Sequence, residues 1–157
     1  MAIDDTARPS TTTDHAAPEL PDLDELVDGF PVRDGEDPWT SAEVRALANE
    51  LTEEITRLRT ELSHADAELS DLLRNSGDGA GDDQADSGSS ALEREQELTI
   101  VNNTRDLLEQ VSHALQRVGA PGFARCESCG EAIGKARLQA FPRATLCVTC
   151  KARQERR

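Results

Sequence analysis

Two stretches of the chain repeat apolar residues at steps of three and four, strictly alternating in the first. The first runs Val44, Ala48, Leu51, Ile55, Leu58, Leu62, Ala65, Leu69 and Leu72. The second runs Leu98, Val101, Thr104 or Arg105, Leu108, Val111, Leu115 and Val118. That spacing places each set on one stripe of an α-helix, with the seam of a coiled coil. "WTSAEV" predicts the start of the first helix. Thr40 caps and Glu43 lies three residues on, as a capping box requires. Trp39 and Val44 hold the positions of a hydrophobic staple. This helix is expected to run to about Asn75, roughly 50 Å at 1.5 Å per residue. The second is expected from near Ser90, where Glu93 completes another box, and "GAPG" (Gly119–Gly122) ends it.

Two seams of similar length joined by one connection predict an antiparallel helical hairpin over 38–118. "EREQE" (Glu93–Glu97) interrupts the second seam with polar residues. The pair is therefore expected to be weakest near the connection, "SGDGAGDDQADSGS" (76–89). That loop has four glycines and the four acids Asp78, Asp82, Asp83 and Asp86. It reads either as a solvated linker or as an acidic tip held at the end of a stiff rod.

The flanks differ from the hairpin. Residues 1–37 carry 11 acids against 2 bases, with little periodicity, and predict a disordered acidic tail. Within it, "LPDLDELVDGF" (Leu20–Phe30) mixes acids with apolar residues that could fold onto a partner; a solvated tail is the plainer expectation. Residues 38–118 carry 17 acids and 7 bases, and 119–157 carry 3 acids and 8 bases. A rod this acidic repels DNA, so only the last segment could meet a polyanion. Aromatic residues are 3% of the chain, too few for an ordinary globular core. No apolar run reaches the length of a membrane span. "MAIDDTARPSTTTD" lacks the basic start and apolar run of a secretory signal, so a cytoplasmic location is expected.

All four cysteines lie in "CESCGEAIGKARLQAFPRATLCVTC", spaced C-x2-C-x17-C-x2-C. Each pair turns two thiolates toward one point, and two pairs complete a tetrahedron with Zn–S distances near 2.3 Å. Cys126, Cys129, Cys147 and Cys150 are therefore the expected ligands of one structural Zn²⁺ within 119–157. Four thiolates leave no open position for a reacting water, and in a reducing compartment the alternative is redox chemistry. Lys135, Arg137, Arg143 and Lys151 surround this segment. They read either as a phosphate patch or as counter-charge for a dianionic zinc site, and the second is favoured. His15, His64 and His113 lie off the seams and are read as solvated.

These residues carry a resemblance. "CESCGEAIGKARLQAFPRATLCVTCK" resembles the zinc finger of the DksA/TraR family of bacterial transcription factors, through "CESCG", the I-G-x-x-R-L-x-A run, the following proline and A-T-L-C-V-x-C-K. That family places a coiled-coil hairpin before the finger, with an acidic D-x-x-D-x-A tip. "DQADSG" is similar to it, with Asp83, Asp86 and, in place of the alanine, Gly88. The resemblance covers roughly 39–153. It implies a mainly α fold: a long antiparallel coiled-coil hairpin, then a small four-cysteine zinc finger with a short C-terminal helix. It implies a non-enzymatic, monomeric regulator that binds RNA polymerase through the secondary channel, without membrane or sequence-specific DNA contacts. The tip would then approach the catalytic Mg²⁺. The family's guanosine tetraphosphate site uses basic residues where this chain has Gln110, Phe141 and Lys151. Lys151 alone remains as a candidate anion contact, so that nucleotide is doubtful here. Two alternatives stay open: a zinc-stabilised protein-interaction module, and a transcript-cleavage-type factor whose tip lends Mg²⁺ ligands in trans.

Overall fold

A computed structural model describes residues 20–75 and 84–157. The order is a one-turn helix α1 (Leu23–Leu26) leading into a 3-10 turn (Val27–Gly29), then two long helices, α2 (Ser41–Asn75) and α3 (Gln84–Val118). Two short helices follow, α4 (Lys135–Ala140) and α5 (Val148–Glu155). Helices α2 and α3 pack along their length as an antiparallel hairpin. Among the described residues the only β-pairing is the isolated bridge between Arg125 and Ala132.

The start of α2 follows from its capping box. Thr40 N–H donates to Glu43 Oε2 at 2.9 Å, and Glu43 N–H donates to Thr40 Oγ1 at 3.2 Å. Trp39 and Val44, the staple pair, are both buried. The seam of α2 is buried at Val44, Ala48, Leu51, Ile55, Leu58 and Ala65, with Leu47 added. Leu62, Leu69 and Leu72 are half-buried.

Helix α3 departs from the sequence expectation at its start. It begins at Gln84, six residues before Ser90, so only 76–83 separates the two long helices. The Ser90–Glu93 box is compatible with a helix start but does not prevent one upstream. Nor is Leu98 part of the seam, since 46% of it is exposed. The ambiguous position resolves to Thr104, which is buried. Arg105 instead reaches across to Asp66, Nη2 to Oδ1 3.0 Å.

Packing is uneven along the rod. At its root Val111, Ala114, Leu115 and Val118 of α3 are buried against α2. Towards the connection Leu92 and Ile100 are exposed, and Glu97 buries Oε1 without a hydrogen-bond partner. An unsatisfied buried oxygen costs about 1–3 kcal/mol, so the polar stretch Glu93–Glu97 does loosen this end.

Residues 20–37 overturn the expectation of a wholly solvated acidic tail. Leu23, Val27 and Phe30 are buried in the same core as the hairpin root. Asp22, Asp24, Glu25 and Asp28 face solvent, and Asp22 Oδ1 caps α1 by accepting from Asp24 N–H at 3.0 Å. The apolar residues recur every three or four positions, so the acids hide a helical stripe. Phe30 and Trp39 then meet Phe123 edge-on, with ring centroids 4.8 and 5.3 Å away. Three of the chain's four aromatic rings gather there.

Candidate metal centre

The first cysteine pair sits on a tight turn fixed by its backbone. Gly130 N–H donates to Cys126 C=O at 2.9 Å, and Gly130 has φ +77°, a conformation that favours glycine. Cys126 N–H donates to Glu131 C=O at 2.8 Å, closing the strand-like return. The second pair sits at the start of α5. Cys147 is its N-cap, and its sulfur accepts from Cys150 N–H at 3.5 Å. The pairs are tied by Glu127 N–H to Thr145 C=O at 2.9 Å, and by Cys147 N–H to Cys126 Sγ at 3.3 Å.

The four sulfurs of Cys126, Cys129, Cys147 and Cys150 lie within 4.8 Å of one another. Cys129 Sγ is 3.9 Å from Cys147 Sγ. A tetrahedral zinc with 2.3 Å bonds has sulfurs about 3.8 Å apart, so the donor set fits the ion. Its titration points the same way. Burial pushes the Cys126 thiol up, but N–H groups of Cys147, Cys129 and Ser128 outweigh it and bring it down to about 6. At Cys129 the Glu131 N–H favours the thiolate. Desolvation and the neighbouring Cys126, Cys150 and Cys147 outweigh that and push it up to about 12. Cys126 and Cys129 are thus driven in opposite directions, and a bound dication removes that conflict.

Around the cysteines, the basic residues have partners within the chain. Lys135 Nζ is 2.8 Å from Glu43, Arg137 Nε donates to Leu146 C=O at 3.0 Å, and Lys151 Nζ is 3.6 Å from Glu155. The Arg57 hydrogen bond does most to hold the Glu54 carboxyl below its ordinary value, and the charge of Arg143 adds to it. Lys135 and Lys151 thus face carboxylates and Arg137 a carbonyl, rather than the cysteine sulfurs. His113, read as solvated, has a contact the sequence hid. Its Nε2 lies 2.6 Å from Glu127 Oε1, which also faces Arg117 Nε at 3.5 Å. Arg117 further donates to Arg125 C=O. Its place in the last turns of α3 was the only available signal. His64 is exposed, as expected.

A groove of about 810 Å³ opens between the hairpin and the finger. It brings together Gln110 of α3, Phe141 after α4 and Lys151 of α5, and Glu50, Glu54, Arg137 and Arg143 also line it. Phe141 is 63% exposed there. Of the acidic tip, Asp83 lies outside the described residues. Asp86 and Gly88 fall on the first turns of α3.

Residues 121–156 match the family described as the prokaryotic dksA/traR C4-type zinc finger. The solved structure of transcription factor DksA2 from Pseudomonas aeruginosa is similar with a TM-score of 0.61 and 30% identity, over 73% of this chain and 84% of that one. The chain belongs to the DksA/TraR family. Two curated relatives, each named RNA polymerase-binding transcription factor DksA, extend the likeness. The one from Caulobacter vibrioides is 43% identical over 75 residues, 48% of this chain and 53% of that protein. The one from Escherichia coli is 33% identical over 110 residues, 69% of this chain and 64% of that protein. The chain thus spans between half and two thirds of the curated relatives it matches. As a DksA/TraR protein with a C4-type finger and four converging thiols, it carries a structural zinc centre. The ion's contribution is to hold the two turns together, since a closed four-thiolate site offers no reacting position.

Proposed function

We propose that this DksA/TraR protein is a regulator of transcription that binds RNA polymerase through its secondary channel. The hairpin enters the channel, and Asp83 and Asp86 are carried towards the active site. The observation that carries this reading is the 110-residue alignment with a relative named for RNA polymerase binding. An alignment over 69% of a 157-residue chain must include roughly residues 50–108, which is most of the hairpin. A rod tightly packed at its root, with Leu92 and Ile100 exposed further along, suits insertion into an opening.

The protein acts as a monomer in the cytoplasm and is not itself an enzyme. Sequence-specific DNA binding is not part of its action, because the acidic hairpin would repel phosphates. Among the described residues no helix is long and apolar enough to cross a membrane. Guanosine tetraphosphate is a poor ligand for the groove at Gln110, Phe141 and Lys151. An amide and an exposed ring stand where the family has cations, Lys151 faces Glu155, and Glu50 and Glu54 offset the Arg137 and Arg143 that also line the groove.

The test pairs two measurements on the wild type and on Asp83→Asn/Asp86→Asn. Capture by purified core RNA polymerase is expected for both proteins, with a modest loss for the variant. Multi-round transcription from a sensitive promoter is expected to respond to the wild type and barely to the variant. Absence of capture of the wild type would reject the polymerase reading. Full transcriptional activity of the variant would reject the acidic tip as the acting group.

A further inference from the structure

The segment Phe30–Trp39 lies across the joint between hairpin root and zinc finger, and its hydrogen bonds to the finger converge on Lys135. The Lys135 backbone N–H donates to both oxygens of Glu36, at 3.1 and 3.3 Å. Its Nζ donates to Pro38 C=O at 3.3 Å and to Glu43 Oε2 at 2.8 Å. The same ammonium stands 5.1 Å from the centroid of the Trp39 ring. Only 13% of the Lys135 side chain is exposed. One residue, the first of α4, thus joins the finger, the N-terminal segment and the first turn of α2. Gly134 permits the approach, since a Cβ there would lie 3.3 Å from Glu36 Oε1.

None of these contacts involves a cysteine. The cysteine turns are closed by their own bonds, from Cys126, Gly130, Glu127 and Cys147. The finger can therefore stay folded around its metal while the segment lets go. When the segment is seated, Trp39 Nε1 is buried without a hydrogen-bond partner. Opening would hydrate that donor, which lowers the cost of release.

We infer that Phe30–Trp39 is a latch, keyed by Lys135, which seats the finger on the hairpin root and opens without unloading the zinc. Lys135 is a positioning residue in this device. The latch pins the N-terminal segment to the finger whether or not the protein binds RNA polymerase.

Trp39 is the chain's only tryptophan, so intrinsic fluorescence reports the latch directly. The experiment compares the full zinc-loaded chain with Lys135→Gln and Lys135→Arg. Acrylamide quenching of Trp39 is expected to rise severalfold in Lys135→Gln, and tryptic cleavage after Arg33 to quicken about tenfold. Lys135→Arg keeps the charge for Glu43 and Trp39 and should stay close to the wild type. Metal analysis should give one zinc per chain in all three, with unchanged helicity. Wild-type quenching and cleavage in Lys135→Gln would overturn the proposal. So would loss of zinc together with exposure of Trp39, or a Lys135→Arg variant as open as Lys135→Gln. If Lys135→Gln does not fold, Glu36→Gln serves in its place. It should open the latch with zinc retained, and an unopened latch there would equally reject the idea.

Discussion

Lys135 Nζ and Glu43 Oε2 stand 2.8 Å apart, although 92 positions separate them in the chain. The contact ties the first residue of the finger helix α4 to the first turn of the hairpin. Glu43 also accepts from Thr40 N–H, so one carboxylate serves both the helix cap and the tertiary joint.

That double use makes the joint sensitive to acid. The Lys135 ammonium and then the Thr40 N–H hold the Glu43 carboxyl below its ordinary value. A carboxyl with a depressed folded pKa stabilises above its unfolded value, near 4.5. The stabilisation is lost as pH falls through the folded value. Glu43→Gln is expected to lose about 0.5–1 kcal/mol at pH 7, a partly exposed pair being worth no more. Thermal melts of the two proteins should converge in acid. A difference that persists unchanged at low pH would show that charge is not what Glu43 contributes.

The seam of α2 is tested at Leu58, which is 2% exposed. Leu58→Asp puts an unpaired charge into the packed middle of the hairpin, at a cost above about 3 kcal/mol. Circular dichroism should record a large drop in melting temperature. The same change at Leu92, which is 56% exposed, should shift the melt little.

Metal removal separates the finger from the rod. Zinc binding energy is folding energy for the cysteine turns, whereas α2 and α3 are held by their own seam. A chelator strong enough to strip the ion, or Cys129→Ser, should unfold the finger and leave most far-UV helicity in place. Cys126→Ser should cost more, because Cys126 is also buried in the shared core. Equal effects of the two substitutions would separate that core from the metal site.

Gly88 occupies helix α3, and a Cβ added there meets nothing within 4 Å. Gly88→Ala should therefore stabilise the start of α3 by up to about 1 kcal/mol. It also restores the residue of the family's tip motif. A rise in melting temperature together with a stronger transcriptional response would identify this glycine as a brake on the tip. A stability gain alone would confine its role to the helix.

The chain's order of residues settled whatever rests on local repetition. Heptad spacing defined the two long helices, the Thr40–Glu43 box defined where the first begins, and paired cysteines defined the zinc centre. Each is a short-range pattern with one physical solution. Tertiary packing decided the rest. Residues 20–37 looked like a solvated acidic tail because acids outnumber the apolar residues. Leu23, Val27 and Phe30 became legible as core only in the folded chain, where they join the hairpin root and Phe30 meets Phe123. The choice between Thr104 and Arg105 needed Asp66 across the hairpin, and the start of α3 moved upstream of its capping signal. Lys135, one cation among several beside the cysteines, gained its place from Glu36, Pro38 and Glu43. No spacing rule links residues about a hundred positions apart. Only the folded chain brings an acid, a carbonyl and a ring to the same ammonium.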